Sequence, residues 1–106
     1  MLDVMPLQTA VDTLADRLRA LPQSALARGA AAEGLALARE FALRAQRLEA
    51  PGTEPRELPD AGLFAVGDQV AVAGHDLAYA LRDAETARAE DVAQAVEEVR
   101  RTAARC

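Results

Sequence analysis

The stretch Gly67–Leu81, GDQVAVAGHDLAYAL, holds the only histidine, the only tyrosine and two of the six glycines of the chain. Glycine costs about 1 kcal/mol relative to alanine inside a helix. The apolar residues around it nevertheless keep helical spacing, with Leu63, Val66, Val70, Ala73, Leu77 and Ala80 alternating steps of three and four. The segment therefore reads as a helix over about 61–84 with Asp60 as its N-cap; two pieces divided at Gly67 are the alternative. On such a helix Gly67, Ala71, Gly74 and Ala78 share one ridge. Residues with almost no side chain let a facing backbone approach below the usual 8–10 Å between helix axes. The glycines are thus read as spacing for a neighbouring helix rather than as chemistry beside His75.

Outward from this ridge, a matching set of small residues lies on the segment 24–49, in Gly29, Ala30, Gly34 and Ala38. That segment, with Ser24 or Gln23 near its cap, reads as one long helix with two apolar stripes. The first contains Leu26, Leu37, Phe41 and Leu48; the second is Leu35 with Ala31, Ala38 and Ala42. A helix apolar on two sides is central in its fold or shared with a partner. The two small ridges predict a close antiparallel pair between 24–49 and 61–84. Between them Ala50–Asp60, APGTEPRELPD, carries three prolines and a glycine and reads as an irregular surface connector. Leu7, Val11, Leu14, Leu18 and Leu21 predict an amphipathic helix over about 7–21, opened by Pro6 and stopped by Pro22. Val92, Val96, Val99 and Ala103 predict a fourth over about 87–104, with Glu90 and Asp91 early and Arg100, Arg101 and Arg105 late, as the helix dipole favours. The expected fold is a single all-α domain over residues 1–106, a compact four-helix bundle that dimerisation would complete if the second stripe stays uncovered.

At 106 residues one domain suffices, burying about 65% of its unfolded surface. The sole cysteine, Cys106, excludes an internal disulfide. No apolar run reaches the length of a membrane span and no basic segment precedes a hydrophobic one, so a soluble, cytoplasmic protein is expected. The net charge of −5 opposes generic nucleic-acid binding. Arg39, Arg44 and Arg47 interleave with Glu40 and Glu49, which suits a mixed solvated face better than a phosphate-binding patch. Lysine, isoleucine, asparagine and tryptophan are absent, while alanine fills 26 positions and arginine supplies all 12 basic charges. This is the signature of G/C-rich codons, so the preference for arginine carries no functional meaning. The wording of LPQSALARGAAAEGLALARE (Leu21–Glu40) and LPDAGLFAVGDQVAVAGHDLA (Leu58–Ala78) resembles small uncharacterised helical proteins of high-GC actinobacteria. The resemblance implies a bacterial source and no activity.

Chemistry must then be sought around His75. Ser24 is the only serine and no GxSxG turn accompanies it, so a nucleophilic triad has no basis. His75 with Asp68 or Asp76 lacks the paired spacing that gathers metal ligands on one helix, and no glycine-rich phosphate loop occurs. No enzyme activity, cofactor or metal is therefore expected. Asp68, Val72, His75 and Tyr79 fall on a strip displaced from the core stripe, with two apolar or amphipathic residues where solvent is expected. Together with Leu35 they form the candidate interface of a non-enzymatic interaction module, partnered by a second copy, by another protein, or by both. The competing readings are a small-molecule cleft lined by Phe41, Phe64, His75 and Tyr79, and a helix-turn-helix built on TARAEDVAQAVEEVRR (Thr86–Arg101), whose exposed acids suit a recognition helix poorly.

Overall fold

The stripe Leu7, Val11, Leu14 and Leu18 becomes the buried side of α1 (Met5–Ala20) in a computed structural model that describes residues 1–106. Pro6 occupies the first turn, where a missing N–H costs nothing. The helix ends as Leu21 turns extended ahead of Pro22, as the residue before a proline must.

The expected single helix over 24–49 does not form. A short helix α2 (Gln23–Ala25) runs into a π-turn, Leu26–Ala30, and only then into α3 (Ala31–Glu49). The break sits at Gly29, whose φ of 155° and ψ of −23° a side-chain-bearing residue rarely adopts. A Cβ built on Gly29 would meet nothing within 4 Å. The role of this glycine is therefore conformational, and its expected place in a close helix contact is corrected.

The third segment starts later than its sequence suggests. The Asp60 carboxylate accepts a bond from the Gly62 N–H at 2.9 Å and shapes a turn in which Gly62 has φ 95°, rather than capping a helix. A 3₁₀ turn, Leu63–Ala65, then leads into α4 (Val66–Asp83), which is unbroken at Gly67. The last helix, α5 (Ala89–Ala104), is opened by Asp91, whose carboxylate accepts from the Arg88 N–H at 2.8 Å.

Contacts between side chains fix the directions of these helices. Gly74 lies beside Val11 and Gly67 beside Ala15 and Arg19, so α4 runs antiparallel to α1. Val66 lies beside Gly34, while Leu48 shares a cleft with Leu77 and Leu81, so α3 and α4 are parallel. Arg44 meets Glu98 and Glu33 meets Arg105, which makes α5 antiparallel to both. The expected antiparallel pairing of the second and third segments is thus reversed.

The cause is the connector, which returns along the length of α3. The Gln46 side chain accepts from the Arg56 N–H at 2.8 Å and donates to the Arg56 carbonyl at 2.9 Å, reproducing the two-point bonding of a strand partner. Arg39 donates to the Leu58 carbonyl and Gln69 to the Pro59 carbonyl, and Leu58 packs against the core. A proline-rich segment is suited to this pinned, extended course, because its backbone has few N–H groups left to satisfy.

The ridge of small residues on α4 is used as expected, although against a different helix. Gly67, Gly74 and Ala78 are buried and Ala71 half-buried. A Cβ on Gly74 would fall inside the Val11 side chain, and one on Gly67 would come within 3.0 Å of the Ala15 carbonyl oxygen. Their partner is therefore α1. Gly34 serves the three-way junction instead, where a Cβ would lie 2.9 Å from Val66 Cγ2 and 3.1 Å from Leu18 Cδ1.

α1, the π-turn, α3, α4 and α5 contribute to one apolar cluster, whose largest fully buried members include Phe41, Leu7, Leu14, Leu18 and Leu77. The radius of gyration, 13.4 Å, equals the roughly 13 Å of a 100-residue domain, so this four-helix bundle is compact. Extents of 43 × 28 × 16 Å give a thickness of two helix layers at 8–10 Å spacing. α4 lies between α1 and α3 with α5 on one side, and its opposite side is open to solvent. Ala31 and Ala38 of the second stripe on α3 are buried inside this arrangement, with Leu35 and Ala42 half-buried. That apolar surplus is absorbed within the chain. No helix is long and apolar enough to cross a membrane.

Candidate functional site

The open side of α4 presents Asp68, Val72, Asp76, Tyr79 and Asp83. Val72 is 62% exposed and Tyr79 44%, an apolar pair on a helix whose other large apolar residues are all buried. Asp68, Val72, His75 and Tyr79, singled out from their spacing, do share this face. Leu35 does not: it is half-buried beyond the α3–α4 seam, in a cleft with Leu26, Leu63 and Val66. The reason is that α3 rotates its second stripe toward the turn preceding α4, so Leu35 packs on the chain itself.

Apart from Asp76, the polar groups framing Val72 and Tyr79 are already paired. His75 Nε2 lies 2.7 Å from Asp12 Oδ1 of α1. Arg19 of α1 donates to Asp68 from both Nε, at 2.9 Å, and Nη2, at 2.7 Å, and its third nitrogen reaches Asp16 at 3.1 Å. Hydrogen bonding to Asp68 raises the Arg19 pKa further above its ordinary value, outweighing the opposing desolvation. The Arg82 guanidinium lies over the Tyr79 ring, 4.9 Å from its centroid, and the His75 ring flanks Tyr79 at 6.3 Å. Tyr79 is therefore held between a cation and an imidazole one turn below, with its hydroxyl and outer edge free. The carboxylates of Asp12, Asp16, Asp68, Asp76 and Asp83 outnumber the guanidiniums of Arg19 and Arg82, so the face is acidic.

The alternative sites read from the sequence are not assembled. Phe41 is fully buried and Phe64 is 73% exposed; neither they nor His75 and Tyr79 line the principal clefts, so the expected ligand cleft of these four is corrected. The carboxylate that meets His75 is Asp12, across the helix boundary, rather than Asp68 or Asp76. No three histidine, cysteine or acidic side chains converge as metal ligands. Ser24 and Cys106 make no hydrogen bond to His75. α5 runs antiparallel to α3 and α4 and packs mainly on α1. Arg39 and Arg44 are consumed by Glu57, Glu40 and Glu98 and the connector carbonyl of Leu58.

Cys106 folds back onto the bundle, its thiol 3.9 Å from the Ala30 carbonyl oxygen. Burial is the main cause raising its pKa, with the nearby Glu33 carboxylate adding to the shift and Arg17 opposing it. A folded state that retains the thiol proton more tightly than the unfolded chain gains stability below the ordinary thiol pKa, near 8.5. It loses that stability as pH rises through the raised value. Alkylation by iodoacetamide at pH 8 is accordingly expected to run several-fold slower in the folded protein than in guanidinium, where the shift disappears. Equal rates would show that the C-terminus is detached from Ala30.

The chain matches no protein-family model, no curated protein and no solved structure.

Proposed function

We propose that the protein is a non-enzymatic interaction module that docks a protein partner on the α1–α4 face, through a cationic amphipathic segment of that partner. The observation that supports this reading is the exposure of Val72 and Tyr79 within a frame of side chains of which all but Asp76 satisfy one another. Covering charged groups is costly when their partners are lost. Here the Asp12–His75 and Arg19–Asp68 pairs come with the face, and the unpaired Asp76 between Val72 and Tyr79 is left for a cationic group of the partner. Tyrosine held by a neighbouring guanidinium loses little freedom on contact, which suits a binding anchor. The surplus of carboxylates selects a positively charged partner and speeds its encounter. A second copy of this chain would set the same acidic surface against itself, so self-association on this face ranks second.

A synthetic amphipathic helix of leucine and lysine, titrated into the labelled protein, tests the reading. Saturable chemical-shift changes are expected at the Val72 methyls and the Tyr79 ring, weakening as salt is raised. Tyr79→Ser together with Val72→Asp is expected to weaken binding at least tenfold while leaving the melting temperature within a few degrees, because both residues are exposed. Light scattering runs in parallel. Shifts at other faces, or none, would overturn the proposal, and a dimer dissociated by Val72→Asp would assign the face to a second copy instead.

A further inference from the structure

We propose that the cleft where the C-terminal halves of α3 and α4 meet the start of α5 is a binding site for a medium-chain alkyl carboxylate, independent of the docking face. The cleft encloses about 310 Å³, near the lower edge of the roughly 300–1,000 Å³ of ligand pockets, which favours a short alkyl chain over a long lipid. Its floor is apolar: Leu77, Leu81 and Ala95 are buried and Leu48 half-buried. The space exists because small residues, Ala87 of the α4–α5 link and Ala95 of α5, stand at the junction where α3 and α4 present leucines. The accessible apolar surface of the cleft is that of the half-buried Leu48 and Ala87, over a floor closed by Leu77, Leu81 and Ala95, and an alkyl chain would cover it.

The rim decides the head group. Arg44 is fixed between Glu40 Oε1, at 2.9 Å, and Glu98 Oε1, at 2.6 Å, and forms a neutralised wall. Arg47 is exposed on the rim and enters none of the ion pairs of the molecule. Thr86 and Gln94 add hydrogen-bond donors to the same opening. Asp91 is the one acid in the lining, and its carboxylate is turned to the Arg88 N–H at 2.8 Å. An unpaired guanidinium above an apolar floor fits a carboxylate, which it binds in a two-point fork. Neither a cation nor an uncharged hydrocarbon would use it.

Sodium octanoate titrated into the full chain with methyl-labelled leucine and alanine tests the assignment. Saturable shifts are expected at Leu48, Leu77, Leu81 and Ala95, with octanol binding about tenfold more weakly because it forfeits the charge-assisted bonds. Arg47→Gln, on an exposed position that leaves the fold intact, is expected to weaken octanoate about tenfold and octanol little. Ala95→Leu fills the floor and is expected to abolish both, with circular dichroism reporting that the bundle remains folded. The assignment is overturned if octanoate up to its solubility limit produces no saturable shift at these methyls, if octanol binds as tightly, or if Arg47→Gln changes nothing.

Discussion

A Gly74→Leu protein is expected to lose about 3 kcal/mol or more of folding stability, at the upper end of overpacking penalties. It should melt some 12–24 °C below the parent, on the scale of 4–8 °C per kcal/mol for a domain of this size. The reason is local and specific. A Cβ at position 74 already lies inside the Val11 side chain, 3.0 Å from its Cβ, and Val11 is fully buried and cannot retreat. The clash can be relieved from the other side. Gly74→Ala, costly alone, is expected to become nearly neutral in a Val11→Ala background, giving a coupling of about 1–3 kcal/mol in a double-mutant cycle. Additive losses would mean that α1 and α4 are not in contact along this ridge. Gly29 provides the contrast: alanine there meets no atom within 4 Å, so no neighbouring truncation is expected to rescue it.

Replacing residues 50–62 by Gly-Ser-Gly is expected to abolish the monomeric bundle altogether. Parallel packing of α3 and α4 requires the chain to travel back from Glu49 to Leu63 along α3. From Gly34 to Leu48 that is about 21 Å at 1.5 Å per residue. A three-residue link spans four Cα–Cα steps between Glu49 and Leu63 and reaches about 13–14 Å at 3.3–3.6 Å per step. The core of α3, centred on Phe41, could then meet α4 in the observed direction only by exchange between two chains, so the product should be unfolded or a domain-swapped dimer. Thermal melting followed by circular dichroism, with light scattering for mass, distinguishes these from the parent. A shortened protein that remains monomeric and melts with the parental temperature would show that α3 and α4 are antiparallel.

Helices were legible where local rules acted alone. The spacing of Leu7, Val11, Leu14 and Leu18 gave α1 to within two residues, and Pro22 marked its end. Val92, Val96 and Val99 placed α5, with the acids that open it. Gly29 and Asp60 were harder, since a glycine inside an apolar stripe is equally consistent with a tolerated helical residue and a break, and an aspartate before Ala-Gly can cap a helix or close a turn. The face carrying Asp68, Val72, His75 and Tyr79 was visible because four residues on one helix need only its 3.6-residue period. Leu35 was misplaced with them because its environment depends on where a different segment of chain arrives. The partners of the face, Asp12 and Arg19, and the arginine-rimmed cleft were missed altogether. Asp12, Arg19, Arg44 and Arg47 lie many residues from α4 in sequence, and only packing brings them near.

By itself the sequence determined that the chain is all-helical, where its long helices end and where the first and last begin, and that a ridge of glycine and alanine on α4 must receive another helix closely. Tertiary structure alone decided which helix that is and in which direction it runs. A small-residue ridge accepts any complementary surface, whereas Val11 happens to fill it and the strap held by Gln46 returns the chain so that α4 lies parallel to α3 and antiparallel to α1. Periodicity is a property of one segment; pairing is settled by the energies of all of them together.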